Sequence, residues 1–223
     1  MENKQNITPN VPIAFFDLDD TITSEDTDTL WVEWNARQSI KGKLEKLWLQ
    51  RLMRQYRNGK MSVHEYLKYQ KFKTWGHSAS SFIKKAEKFF NEVGKYHVRS
   101  YMLELIESLK KENTKITIIT AQLDLIAKPF AEHIGVDILF GNSFEINSNK
   151  IGKARKPYCF KEGKIFWANQ YAIEKKIKLS ECSFYSDSIN DLPLLNQVGH
   201  PVIVTPDALL KEKAVSQNWP IIT

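Results

Sequence analysis

Cysteine is nearly absent: Cys159 and Cys182 are the two in 223 residues, isolated and without metal-ligand spacing. A disulfide scaffold and a cysteine-based metal cluster are thereby excluded, and a reducing, cytoplasmic setting is expected. No apolar run approaches the ~20 residues that span a bilayer, so no stable membrane insertion is expected. The stretch 1–10 lacks the basic flank and apolar core of a signal peptide. Glycine and proline are few, 9 and 8, and neither internal repeats nor low-complexity tracts occur. A chain of this length can bury a core without disulfides or a structural metal.

Positive charge is in excess and unevenly placed. The net charge is +6, yet residues 28–97 hold 15 Lys and Arg against 6 Asp and Glu, and the remainder 17 against 20. A solvated helical surface accounts for this, and so does a basic lid that attracts an anionic substrate. No nucleic-acid-reading motif accompanies the charge, and nucleic acid is not expected as a partner. The oligomeric state is left open.

Short apolar runs at 11–16, 116–119, 138–140, 184–185 and 201–204 read as buried parallel strands. Helical patterns at 99–111, 123–134, 165–176, 192–197 and 208–216 separate or follow them. This alternation predicts an α/β fold, a doubly wound parallel sheet covered on both faces. From about Thr29 to His97 the alternation stops, and roughly four helices are expected, with breaks near Asn58-Gly59 and Gly76. The expected division is a core of 1–27 and 98–223 with an inserted helical cap of 28–97. The cap's aromatics are expected chiefly in its own core.

In such sheets ligands bind beyond the carboxyl ends of the strands, and acidic or hydroxyl residues stand there. Asp17-Leu18-Asp19-Asp20-Thr21 follows the first run. If the chain coils tightly, the carboxylates of Asp17 and Asp19 face one site. One can then attack phosphorus while the other handles the leaving group's proton. Crowded carboxylates repel, which makes a divalent cation their natural companion. Thr120 ends a second run, and with the backbone N–H groups from Ala121 it can hold a phosphoryl oxygen or cap the next helix. Lys164 near a helix start can neutralise nucleophile and phosphoryl group together, or be one lysine among many. Asp187 and Asp191, with Asn190 between, end a further run. They suit Mg²⁺, or cap the helix from Leu192.

In order and context these four pieces resemble the haloacid dehalogenase superfamily of phosphohydrolases, and within it the phosphoserine-phosphatase-like IB group. The likeness runs from about Ile13 to Ile222. It implies a Rossmann-like core with a C1-type helical cap, Asp17 as nucleophile and Asp19 as general acid/base. Thr120 and Lys164 match the second- and third-motif positions, and Asp187 a direct metal ligand supported by Asp191. The implied Mg²⁺ would be held by Asp17, the backbone carbonyl of Asp19, and Asp187. Thr120, Ala121, Lys164 and Asn190 would meet the phosphate. Three features depart from the pattern: Ser186 stands where relatives carry Gly, Asp26 where phosphoserine phosphatases carry Glu, and the cap arginine for a substrate carboxylate has no counterpart. Asp28, Trp31 and Trp34 are instead similar to uncharacterised members of the superfamily and some histidinol-phosphate phosphatases.

The expected activity is a phosphatase using an aspartyl-phosphate intermediate on a small phosphorylated metabolite such as histidinol phosphate or phosphoserine. A phosphotransferase or mutase of the same superfamily would share both aspartates, and a non-catalytic phosphate-binding protein the scaffold. A signalling receiver domain is about half this length and carries its acceptor aspartate after a later strand.

Overall fold

The computed structural model describes residues 8–57 and 62–223. Six parallel strands form one sheet in the order β3-β2-β1-β6-β7-β8, where β1 is Ile13–Phe16, β2 Lys115–Leu123, β3 Ile138–Asn142, β6 Ser183–Ser186, β7 His200–Val204 and β8 Ile221–Ile222. A separate antiparallel pair, β4 (Phe144–Asn147) and β5 (Lys150–Ala154), follows β3. Chain order reverses direction at β1, which has β2 on one side and β6 on the other. A doubly wound sheet opens a crevice at such a switch point.

The strand pleat explains why β1 is apolar throughout. Ala14 and Phe16 point into one hydrophobic layer, and Ile13 and Phe15 into the other. The same alternation divides Tyr185 from Phe184 and Val202 and Val204 from Ile203. Helices α5 (Ser100–Lys111) and α6 (Asp124–Ile134) cover the first face. On the second lie α7 (Glu162–Glu174), the single turn α8 (Leu192–Leu195) and α9 (Ala208–Ser216).

Between the first strand and α5 stand four helices: α1 (Thr27–Ala36), α2 (Ile40–Arg57), α3 (Val63–Thr74) and α4 (Ala79–Glu92). In α4, Phe82, Ala86, Phe89 and Phe90 recur at helical spacing and are buried. Trp31 packs on Trp34, Phe82 and Phe89, and Phe89 and Phe90 pack on Phe130 of α6. Aromatic residues therefore fill the core of this helical layer and join it to α6. At the α1–α2 crossing a Cβ on Gly42 would lie 2.2 Å from the carbonyl oxygen of Asn35, so only glycine permits this approach.

The expected elements fall close to those observed, with differences of a few residues at their ends. The 192–197 helix is one turn, and the hairpin β4–β5 and the strand β8 were not anticipated. The expected break at Asn58-Gly59 and most of the polar stretch 1–10 lie outside the described residues. Among the described residues, no helix is long and apolar enough to cross a membrane.

Candidate active site

Beyond the end of β1 the chain coils at once. Asp17 is held to the sheet by its N–H, which donates to the carbonyl of Tyr185 at 2.9 Å. Residues Leu18–Ile22 then form a tight, irregular turn in which Asp20 takes a left-handed conformation, φ 54°. The carbonyl of Asp20 is pinned by Arg99 Nη2 at 3.3 Å and by the Thr205 hydroxyl at 3.1 Å. The coil turns both Asp17 and Asp19 into one cavity of about 230 Å³.

Lys164 enters from α7, two residues after its start. A Cβ on the preceding Gly163 would lie 1.7 Å from the Tyr158 carbonyl oxygen, so the close approach that seats Lys164 needs glycine. The ammonium lies 2.8 Å from Asp191 Oδ2 and 3.0 Å from Asp17 Oδ1, with all three side chains almost wholly buried. The Asp17 contact is an ion pair outside hydrogen-bond geometry, and Asp17 Oδ1 has no hydrogen-bond donor among the described residues. Asp191 does not cap α8 with its side chain; its carboxylate takes Lys164 and, at 2.7 Å, the Ser186 hydroxyl. Asp187 Oδ1 accepts from the Thr21 hydroxyl at 3.1 Å. The loop beneath is fixed by Asp207, whose carboxylate accepts the N–H groups of Ile189 and Leu210, each at 2.8 Å.

Asp17, Asp19, Ala121, Lys164, Asp187, Asn190 and Asp191 all line this cavity. Thr120 differs from expectation, because it is fully buried behind the wall. Its hydroxyl lies 3.3 Å from Asp19 Oδ2 and accepts the Gln122 N–H at 3.0 Å, so it is turned toward a catalytic candidate and not toward open space. Sequence reasoning gave no role to Thr21, Thr27, Gln122, Ser186 or Asp207. Only the position of Ser186, one residue before an expected metal ligand, could have drawn attention. The basic segment supplies Asp28, Leu49, Leu52, Met53 and Tyr66 to the cavity but, among the described residues, no lysine or arginine. Among the described residues, a lining of cations from this segment that draws anions into the cavity is not observed.

Burial and mutual repulsion dominate the electrostatics. Burial raises Asp17 to about 8, with Lys164 opposing and Asp191 and Asp19 adding to the rise. Burial, then the charge of Asp26, brings Asp19 to about 7, although two hydrogen bonds from Thr27 resist. Asp26 reaches about 7 through burial and Asp28. Asp187 is raised well above the ordinary range by burial and by Asp17, Asp191 and Asp20. Burial pushes Lys164 down, but Asp17 and Asp191 more than offset it and keep the ammonium charged.

The profile of the haloacid dehalogenase-like hydrolases matches residues 14–196. The chain belongs to that family. Among its relatives, the histidinol-phosphatase of Neisseria meningitidis serogroup C is 28% identical over 94% of this chain and 97% of that protein. A phosphoserine phosphatase of Mycobacterium tuberculosis is 26% identical over 66% of this chain, which spans 48% of its length. A Bordetella pertussis protein of unknown function superposes with TM-score 0.84, at 24% identity over 95% of this chain and 97% of that one. A substrate-bound phosphoserine phosphatase superposes with TM-score 0.71, at 17% identity over 95% and 92% of the two chains. These superpositions show that the haloacid dehalogenase-like core has the fold of its phosphatase members.

For this hydrolase the donor chemistry suits a divalent cation. Asp17 and Asp187 carry hard oxygen atoms that crowd one another in a buried cavity where, among the described residues, Lys164 is the one lining cation, and Asp17 Oδ1 lacks a hydrogen-bond donor. Among the described residues, no three His, Cys, Asp or Glu side chains form a ready-made metal site. A cation here would complete its shell with a backbone carbonyl and water, which is the habit of Mg²⁺.

Proposed function

We propose that this hydrolase is a Mg²⁺-dependent phosphomonoesterase that works through an aspartyl-phosphate on Asp17, with α1–α4 acting as its cap. Its chief support is the convergence of Asp17, Asp19, Lys164 and Asp187 on one small cavity at the strand ends. The Asp17 carboxylate attacks phosphorus in line as the bond to the leaving oxygen breaks. Asp19 gives that oxygen its proton. It then takes a proton from the water that attacks the same phosphorus and frees Asp17. A group that must both give and take a proton works best with a pKa near the working pH, and about 7 suits Asp19. Lys164 keeps its charge beside Asp17, and Ala121 and Asn190 line the space for the phosphoryl oxygens. Mg²⁺, held by Asp17, the Asp19 carbonyl and Asp187, would supply positive charge against the phosphoryl oxygens.

The substrate reading favours a small amine-bearing phosphomonoester such as histidinol phosphate over phosphoserine. Apart from Lys164, no cation among the described residues lines the cavity, so a substrate carboxylate would find no counter-charge there. A cationic group would meet Asp26 and Asp20 beside the apolar wall of Leu49, Leu52 and Met53. The Neisseria histidinol-phosphatase, similar over nearly its whole length, supports the same choice.

The test is phosphate release from histidinol phosphate and phosphoserine with Mg²⁺, for the wild type and Asp17→Asn. Mg²⁺-dependent turnover lost in Asp17→Asn with its fold intact is expected. Wild-type-like turnover in that variant would refute the assignment.

A further inference from the structure

Behind Asp19 runs a buried chain of polar side chains that the catalytic steps above leave unused. Thr27, first residue of α1, donates both its N–H (2.7 Å) and its hydroxyl to Asp19 Oδ1. The same hydroxyl oxygen accepts from Gln122 Nε2 at 2.8 Å. Gln122 Nε2 also donates to Asp28 Oδ1 at 3.0 Å, while its Oε1 accepts from Lys73 Nζ at 3.1 Å and from the Leu123 N–H at 2.7 Å. Lys73 is ion-paired with Asp28, whose other oxygen accepts from the Tyr66 hydroxyl at 2.8 Å. Thr27, Asp28, Lys73 and Gln122 are all buried.

Donor and acceptor chemistry gives this chain a direction. An ammonium only donates, so Lys73 claims the oxygen end of the Gln122 amide and the NH₂ end is turned to Thr27. With its oxygen already accepting from Gln122, the Thr27 hydroxyl directs its one proton to Asp19 Oδ1. That oxygen then holds two donors, and Oδ2, with one long contact from Thr120 at 3.3 Å, is the oxygen free to carry the transferable proton.

We propose that Lys73 and Gln122 are positioning residues for Asp19: Lys73 sets the orientation of the Gln122 amide, Gln122 sets the Thr27 hydroxyl, and Thr27 holds Asp19 with Oδ2 toward the leaving oxygen. The proposal rests on the phosphatase reading of Asp19. Lys73 lies on α3 and Gln122 on β2, so the acid is aligned only while α3 is seated on the sheet.

A misdirected acid harms esters of poor leaving groups far more than esters whose alcohol departs without a proton. Expected kcat/KM losses for Lys73→Met and Gln122→Met are ~10- to 100-fold on an alkyl phosphate such as glycerol 2-phosphate, part of the 10²–10⁴ that general acid catalysis supplies, and under about threefold on p-nitrophenyl phosphate. A purely structural role would lower both equally, because kcat/KM covers only the steps through release of the alcohol. Gln122→Met removes no charge and keeps the test alive if Lys73→Met fails to fold. Wild type hydrolysing both esters while the folded variant loses equally on the two would overturn the positioning role alone. Wild type hydrolysing neither with Mg²⁺ would overturn the phosphatase reading, and this inference with it.

Discussion

Among the described residues Lys164 is the one cation in contact with the buried carboxylates of Asp17 and Asp191, and its removal separates stability from chemistry. Its side chain is 3% exposed, with Asp17 at 10% and Asp191 at 4%. Lys164→Met leaves both acids facing a space without counter-charge, and the Ser186 hydroxyl stays bonded to Asp191. Breaking a buried ion pair from one side costs ~3–5 kcal/mol. In a chain of this size each kcal/mol shifts Tm by ~2–4 °C, so a fall of ~6–20 °C is expected. Lys164→Met/Asp191→Asn removes a charge together with its partner and should recover a substantial part of that fall, because the cost comes from the uncompensated charge. Phosphate release should remain lost in both variants, since Asp17 still lacks its cation. Thermal melts in chelator, paired with a phosphate-release assay, read both quantities. A single variant melting within about 2 °C of wild type, or a double variant no more stable than the single, would refute the reasoning.

The residues of the candidate site were legible where chemistry and local pattern coincide. Asp17, Asp187 and Asp191 follow apolar runs, and a parallel strand buried on both faces is one of few structures that makes such a run end in carboxylates. What stayed hidden depends on contacts between distant parts of the chain. Ser186 read as a mere departure from glycine, yet its hydroxyl holds Asp191. Lys73 looked like one of fifteen cations in a basic segment and is instead buried against Asp28 and Gln122. Thr120 matched a phosphate-binding position, but its burial depends on how β2 packs beneath the coil after β1. The hairpin β4–β5 and the two-residue strand β8 were missed because mostly exposed or very short strands carry little apolar periodicity.

Two further outcomes follow from the same packing. Gly163→Ala places a Cβ 1.7 Å from the Tyr158 carbonyl oxygen; the expected cost is ~3 kcal/mol, the upper end for overpacking, with Lys164 displaced and turnover reduced. A wild-type melt and full activity would show that this approach is not required. The pH dependence of the metal-free protein has a definite sign. Asp17 at about 8 and Asp19 and Asp26 at about 7 keep protons in the folded chain that the unfolded chain releases near 3.8. From about pH 4 to pH 8 the folded form therefore binds more protons, and stability falls as pH rises. Lys164, raised above its ordinary value, contributes fully across this window and adds no slope. In chelator the protein should melt lower at pH 8 than at pH 6. Saturating Mg²⁺ should raise Tm more at pH 8, where the cation binds carboxylates that have already given up their protons. A Tm in chelator that rises from pH 6 to pH 8 would mean that these carboxyls are not crowded and buried together, and the case for a cation between them would fall.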